Sequence, residues 1–156
     1  MKRAQTFTFN VIYKETTVKS KPEFHHPGLS ETELKAFEGL RAAQQLAHET
    51  ATNAGWYTDR ETGQPIERNF GEVVALMHSE LSEALEADRK GKRQDDKLPW
   101  RNAVEVELAD CVIRIFDTAA ARGYDLAAAI LDKNRFNRER ADHKLENRLL
   151  QGGKRY

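Results

Sequence analysis

The chain of 156 residues is short of cysteine, of excess charge of either sign and of long apolar runs. Its single cysteine, Cys111, excludes an internal disulfide framework and a cysteine-built zinc site, and points to a reducing, cytoplasmic setting. Lys and Arg number 25 against 25 Asp and Glu, so there is no basic excess with which to coat nucleic acid or hold a membrane surface. No stretch nears the roughly 18 uninterrupted apolar residues of a membrane span. The first residues also lack the apolar core and small-residue cleavage site of a secretory signal. No internal repeat or low-complexity tract is present. What remains is a charge-rich, aromatic-poor composition that suits a single, mainly helical domain.

Residues 1–29 differ from the rest. Thr6 to Tyr13 alternates, with Phe7, Phe9, Val11 and Tyr13 on one side, and reads as a β-strand. Pro22, Pro27 and Gly28 then mark a linker. A lone strand is not stable, so this one is expected to pair with a short neighbour or another subunit, or to remain a mobile arm. His25 and His26 have no recognisable partner ligands, and no metal is assigned to them.

From Ser30 onward the pattern is helical. Ser30-x-x-Glu33 is a capping-box start for a helix carrying Phe37, Leu40, Ala47 and Ala51, which ends at Gly55. After a loop over 56–68, Asn69 opens a second helix that runs to about Gly91. Asn102-x-x-Glu105 opens a third, which stops at Gly123, and Asp125 opens a fourth, to about Ala141. The expected fold is all-α: a helical domain over 30–141 resembling a four-helix bundle, then a polar tail over 142–156. Lys144, Arg148, Lys154 and Arg155 make that tail basic, but Asp142 and Glu146 interrupt it, and no nucleic-acid role follows.

Winding each helix at about 100° per residue brings out a constellation of carboxylates. On the second helix Glu80 falls inside the apolar arc of Val73, Val74, Leu76, Met77, Leu81, Ala84 and Leu85, with Glu83 at its edge. On the third, Glu107 and Asp110 repeat the i, i+3 pairing beside Val104, Leu108, Cys111, Val112, Ile115 and Phe116. A single E-x-x-E usually lies on a solvated helix border; its recurrence on the next helix argues for more. Four facing carboxylates repel one another, so they either share protons or hold hard cations, of which Mg²⁺ or Mn²⁺ suits an oxygen-only set. A di-iron bundle would add a Glu-x-x-His motif, which neither pair has, and His78 points elsewhere.

Glu80-x-x-Glu83, residues 84–106 and Glu107-x-x-Asp110 together resemble the signature of the MazG-like all-α nucleoside triphosphate pyrophosphohydrolases, in particular phage and bacterial single-domain members. The similarity runs from about Phe37 to the C-terminal Gly-Gly-Lys-Arg-Tyr and leaves out the N-terminal strand. The resemblance implies hydrolysis of a (deoxy)nucleoside triphosphate to monophosphate and pyrophosphate, with Mg²⁺ held by the four carboxylates and Mn²⁺ able to replace it. It also implies a homodimer or homotetramer, and it tilts base preference towards purine deoxynucleotides.

The fourth helix carries a second anomaly. The stripe begun by Leu126 and Ile130 continues as Lys133, Asn137 and Arg140, so an inward face turns cationic and needs a partner such as a triphosphate. The K-x-x-x-N-x-x-R spacing also resembles the family's substrate-binding segment. Trp56 and Tyr57 are candidates to stack on a base or to pack the bundle end. Gln44 and His48 are candidates for a base edge or for a hydrogen-bonded core role. Lys97 and Arg114 are candidates for phosphate, although Arg114 also sits at ion-pair spacing from Asp110. Asp117 extends the acidic stripe and is expected in solvent, and Cys111 is read as a small core residue. The expected activity is a Mg²⁺-dependent pyrophosphohydrolase that adjusts a dNTP pool, with Glu80 or Glu83 accepting the proton of the attacking water. The alternative is a non-catalytic helical protein that binds nucleotide or nucleic acid through its fourth helix and tail.

Overall fold

The computed structural model of the chain describes residues 28–154, so the strand expected at 6–13 lies outside the described residues. It is all-α. Helix α1 spans Glu31–Asn53, α2 Phe70–Arg89, α3 Ala103–Ala121 and α4 Leu126–Glu139, followed by a 3₁₀ turn at Ala141–His143 and a single turn, α5, at Leu145–Arg148. The helix starts follow from their caps. Ser30, Asn69, Asn102 and Asp125 each stand at an N-cap and accept a backbone N–H of the first turn, an arrangement worth about 1 kcal/mol per helix. Only at Ser30 is the capping box reciprocal: Glu33 N–H donates to Ser30 Oγ, and Ser30 N–H donates back to Glu33 Oε2. Gly123, at a φ of 67°, makes the left-handed turn that ends α3 and aims the chain into α4.

Helix α2 packs on α3, α3 on α1, and α1 on α4. The seams are built largely from alanine: Ala47, Ala84, Ala87, Ala103, Ala119 and Ala127 are buried, with Phe37, Val73, Cys111 and Leu131 as the larger members. Much of the apolar arc expected to face inward does not. Val73 and Ala84 are buried, but Leu81 and Leu85 on α2 and Leu108 and Val112 on α3 are exposed. Alanine seams let helix backbones approach closely, and the bulkier leucines then fall outside the contact.

Helix α4 also sits in a different phase from the one expected. It buries Ala127, Ala128 and Leu131 against Phe37 of α1, with Leu29 and Leu40 packed around them. The next residue on this inner face is Arg135, and Lys133 is left exposed. Arg135 donates from Nε to Glu33 Oε1 at 3.0 Å and from a terminal nitrogen to Glu33 Oε2 at 2.8 Å, and also reaches the Gly28 carbonyl at 2.7 Å. Arg138 adds a further donor to Glu33 at 3.0 Å. The Glu33 cap thus ties the start of α1 to α4.

Arg135 first, then the Ser30 backbone and hydroxyl, hold the Glu33 carboxyl far below its ordinary value. A carboxyl lowered on folding contributes stability that is complete above its unfolded value and is lost as pH falls through the acid range. Glu33→Gln is therefore expected to lower the urea midpoint at pH 7 and to weaken the loss of stability between pH 5 and pH 3. Identical pH profiles for the variant and the parent chain would contradict this.

Candidate functional site

The antiparallel pairing of α2 and α3 brings Glu80, Glu107 and Asp110 together, with one carboxylate oxygen from each lying within 4.8 Å of the others. Glu80 is buried and Glu107 half-buried. Glu83 is exposed and lies outside this trio, although its charge acts on Glu107. Burial first, then the negative charges of Glu83, Glu80, Asp110 and Asp95, push the Glu107 carboxyl above its ordinary value. Three carboxylates this close together could hold a hard cation.

Arg114 is the counterion of the buried carboxylate. Its Nε donates to Glu80 Oε1 at 2.7 Å, across the helix pair rather than along α3, so the Asp110–Arg114 pair suggested by local spacing is not formed. The connection between α2 and α3 is fixed by Asp95, which is buried and accepts the N–H groups of Lys97 and Leu98 at 2.9 Å and 2.7 Å, while its own N–H donates to the Arg101 carbonyl. Lys97 contributes a backbone donor there. Lys92 in this loop pairs with Asp96 at 2.6 Å and lies within electrostatic range of Glu107.

Two turns along α3 lies a polar cluster that sequence reasoning missed. Asp117, expected in solvent, is 5% exposed. Its Oδ1 accepts the Tyr57 hydroxyl at 2.8 Å and meets His48 Nδ1 at 2.8 Å, and the two rings stand edge to face with centroids 5.0 Å apart. Its Oδ2 faces Arg68 Nη1 at 4.0 Å. Burial first, then the Asp117 carboxylate that it donates to, push the Tyr57 phenol above its ordinary value. The partners lie 69 and 60 residues away in sequence, so no local spacing announces them. Arg68 lies over the indole of Trp56, 5.6 Å from its centroid. Cross-loop hydrogen bonds from Asp59 N–H to the Gln64 carbonyl and from Ile66 N–H to the Tyr57 carbonyl hold the 56–68 excursion in place.

A cavity of about 250 Å³ is lined by Asp110, one member of the trio, and Arg114, and by Asp117, Thr118, Arg68 and Trp56. It shares Arg68, Val73 and Thr118 with a second, larger cavity of about 670 Å³ under His48, Tyr57, Arg122 and Tyr124. Gln44 is engaged elsewhere, donating to the Tyr124 carbonyl at 3.0 Å. Helix α4 packs on α1, and two of its three candidate residues, Lys133 and Arg140, have partners of their own. Lys133 lies over the Phe136 ring at 4.8 Å, and Arg140 grips Asp142 through two hydrogen bonds of 2.9 Å and 2.6 Å. Asn137 Oδ1 is buried and has no hydrogen-bond partner among the described residues. Cys111 is buried, as expected. The chain matches no protein-family model, no curated protein and no solved structure.

The raised Glu107 carboxyl gives a direct test of the trio. A carboxyl raised on folding opposes folding once pH rises above its unfolded value. In chelator, Glu107→Gln is expected to raise the melting temperature at pH 7 by a few degrees. Millimolar Mg²⁺ should stabilise the parent chain and stabilise the variant less. A metal-free variant that melts below the parent would show that mutual repulsion is not stored at this site.

Proposed function

We propose that the chain is a MazG-like nucleoside triphosphate pyrophosphohydrolase that uses Mg²⁺, with Mn²⁺ as a substitute, to hydrolyse a deoxynucleoside triphosphate to its monophosphate and pyrophosphate. The observation that carries this reading is the acidic trio of Glu80, Glu107 and Asp110, with a cavity that Asp110 and Arg114 line together with Trp56, Arg68 and Asp117. It sets a cation-holding end beside an aromatic and polar end, as a nucleotide requires. The trio, with Glu83 at its margin, would hold the metal. When bound there, Mg²⁺ supplies an activated water and neutralises charge on the leaving pyrophosphate.

The chain's own residues do the rest. Arg114 holds Glu80 in place in the α2–α3 seam through the 2.7 Å contact of its Nε. Glu83, exposed at the rim, is free to accept the proton of the attacking water, and Glu80 is the other carboxylate in reach of that role. Arg68 and Arg114 are the cations that line the cavity within one chain. The resemblance assigns Lys133, Asn137 and Arg140 to the triphosphate as well. Attack at the α-phosphorus expels pyrophosphate, a far better leaving group than a nucleoside alkoxide. The reading favours adjustment of a dNTP pool, in a cytoplasm, over any structural role.

Pyrophosphate release from a dNTP panel with Mg²⁺, absent in chelator and reduced to background by Asp110→Asn, is the expected result. Hydrolysis in ¹⁸O-labelled water should place the label in the monophosphate. Turnover by Asp110→Asn at the parent rate, or label in the pyrophosphate, would overturn the reading.

The same reading includes a homodimer or homotetramer. It is supported by Leu81, Leu85, Leu108 and Val112, 45–58% exposed on the two carboxylate-bearing helices, where a second copy would cover them. Light scattering at micromolar concentration should return at least twice the chain mass, and Leu85→Glu should shift it towards the monomer. A parent chain that scatters as a monomer would remove this part of the proposal.

A further inference from the structure

Resting on the metal-dependent reading above and deepening it, we infer that Arg114 is a counterion that gives way to the metal. Its guanidinium and a divalent cation compete for Glu80, and a cation that takes Glu80 turns Arg114 into the adjoining cavity.

Glu80 is the member of the trio that a cation already answers. Its side chain is 7% exposed and Arg114 Nε donates to its Oε1 at 2.7 Å, whereas no salt bridge reaches Glu107 or Asp110 among the described residues. Charge count alone would let both cations stay, since three carboxylates balance one guanidinium and one dication. Room separates them. Mg²⁺ requires near-octahedral oxygens and keeps several waters, and that shell needs the space beside Glu80 in which the guanidinium lies. Like charges placed side by side in a buried seam also repel strongly.

The contact itself is suited to exchange. Arginine and carboxylate frequently meet through two parallel hydrogen bonds, as Arg135 does with Glu33 and Arg140 with Asp142. Arg114 uses Nε alone, and its terminal nitrogens make no hydrogen bond among the described residues. The guanidinium also has somewhere to go. Its side chain is 37% exposed and lines the 250 Å³ cavity with Asp117, which stands at i, i+3 spacing on the same helix. The hydrogen bonds to Asp117 fall on Oδ1, and its Oδ2 has only Arg68, at 4.0 Å, so an acceptor lies within one turn.

The exchange leaves the helices where they are. The ion pair ties Glu80 on α2 to α3, and a cation on the trio ties Glu80 to Glu107 and Asp110, again on α3. Arg114 is thus a positioning residue for Glu80 that the metal replaces in kind.

The test is Mn²⁺ binding to the full chain without nucleotide, followed by loss of the free-ion paramagnetic resonance signal, in the parent and in Arg114→Gln. Removing the competitor is expected to tighten Mn²⁺ binding about tenfold. A residue that only braces the seam would, when lost, leave affinity unchanged or weaker. Should Arg114→Gln fail to fold, the parent chain decides the matter. In its ¹⁵N–¹H spectrum the Arg114 Nε–H resonance, assigned through its own backbone, should lose its hydrogen-bonded shift and exchange faster with water as Mg²⁺ is added. Mn²⁺ bound no more tightly by a folded Arg114→Gln, or an Arg114 Nε–H unchanged at saturating Mg²⁺, would overturn the inference and leave the metal-dependent reading standing. Mn²⁺ bound by neither chain would instead bring down that reading, and this inference with it.

Discussion

A carboxylate in the seam between two helices is tolerated only if something answers its charge, and the architecture here is organised around that requirement at Glu80. Burial alone would cost several kcal/mol or drive the group to protonate. Arg114 meets it from the neighbouring helix at 2.7 Å, and the pair fixes how α2 lies against α3. Once that relation is fixed, Asp110 and Glu107 fall beside Glu80 without further provision, and Asp117 arrives two turns along on the same face. The acidic trio belongs to the α2–α3 pairing, and the polar cluster to the packing of α1 and the 56–68 loop on α3. The Asp95 loop holds the two helices in that relation at the end where the chain turns, so that the one ion pair is supported by the connection itself.

Much of this was legible in the sequence, because the signals were local. Ser30, Asn69, Asn102 and Asp125 each look like caps and each act as one, so the starts of all four long helices could be read directly. The i, i+3 repeats of Glu80 with Glu83 and Glu107 with Asp110 likewise placed three of the four carboxylates in one cluster. What failed were inferences that needed to know which helix faces which. Arg114 looked like an i, i+4 partner for Asp110 because that spacing is visible in the sequence and the approach of Glu80 is not. Asp117 looked solvated because His48 and Tyr57 reach it from α1 and the following loop, far away along the chain. The phase of α4 was set by Phe37 on α1, which selects Ala127, Ala128 and Leu131, and no periodicity within α4 itself could say so.

The division between the two ends of the cavity has a physical logic. The acidic end is built from residues of a single helical hairpin, so its geometry depends on one packed interface. The polar end draws on α1, the 56–68 loop and α3, and Arg68 stands on the last of the loop residues before the cap at Asn69. A change of loop sequence can therefore alter the wall at the polar end without disturbing the carboxylates of the hairpin.

The alanine seams give this chain an unusual mutational profile. In most domains the damaging core changes are truncations, since a deleted leucine leaves a void that costs several kcal/mol. Here, among the described residues, no large side chain is fully buried, and the helices touch mainly through methyl groups. Truncation has little left to remove at Ala84, Ala103 or Ala119, whereas adding two methyl groups at any of them forces the backbones apart. Such a separation would act at once on the distances within the acidic trio. Damage in this sequence thus comes from enlargement rather than from loss, and the helix pair that carries the acidic trio has little room to grow.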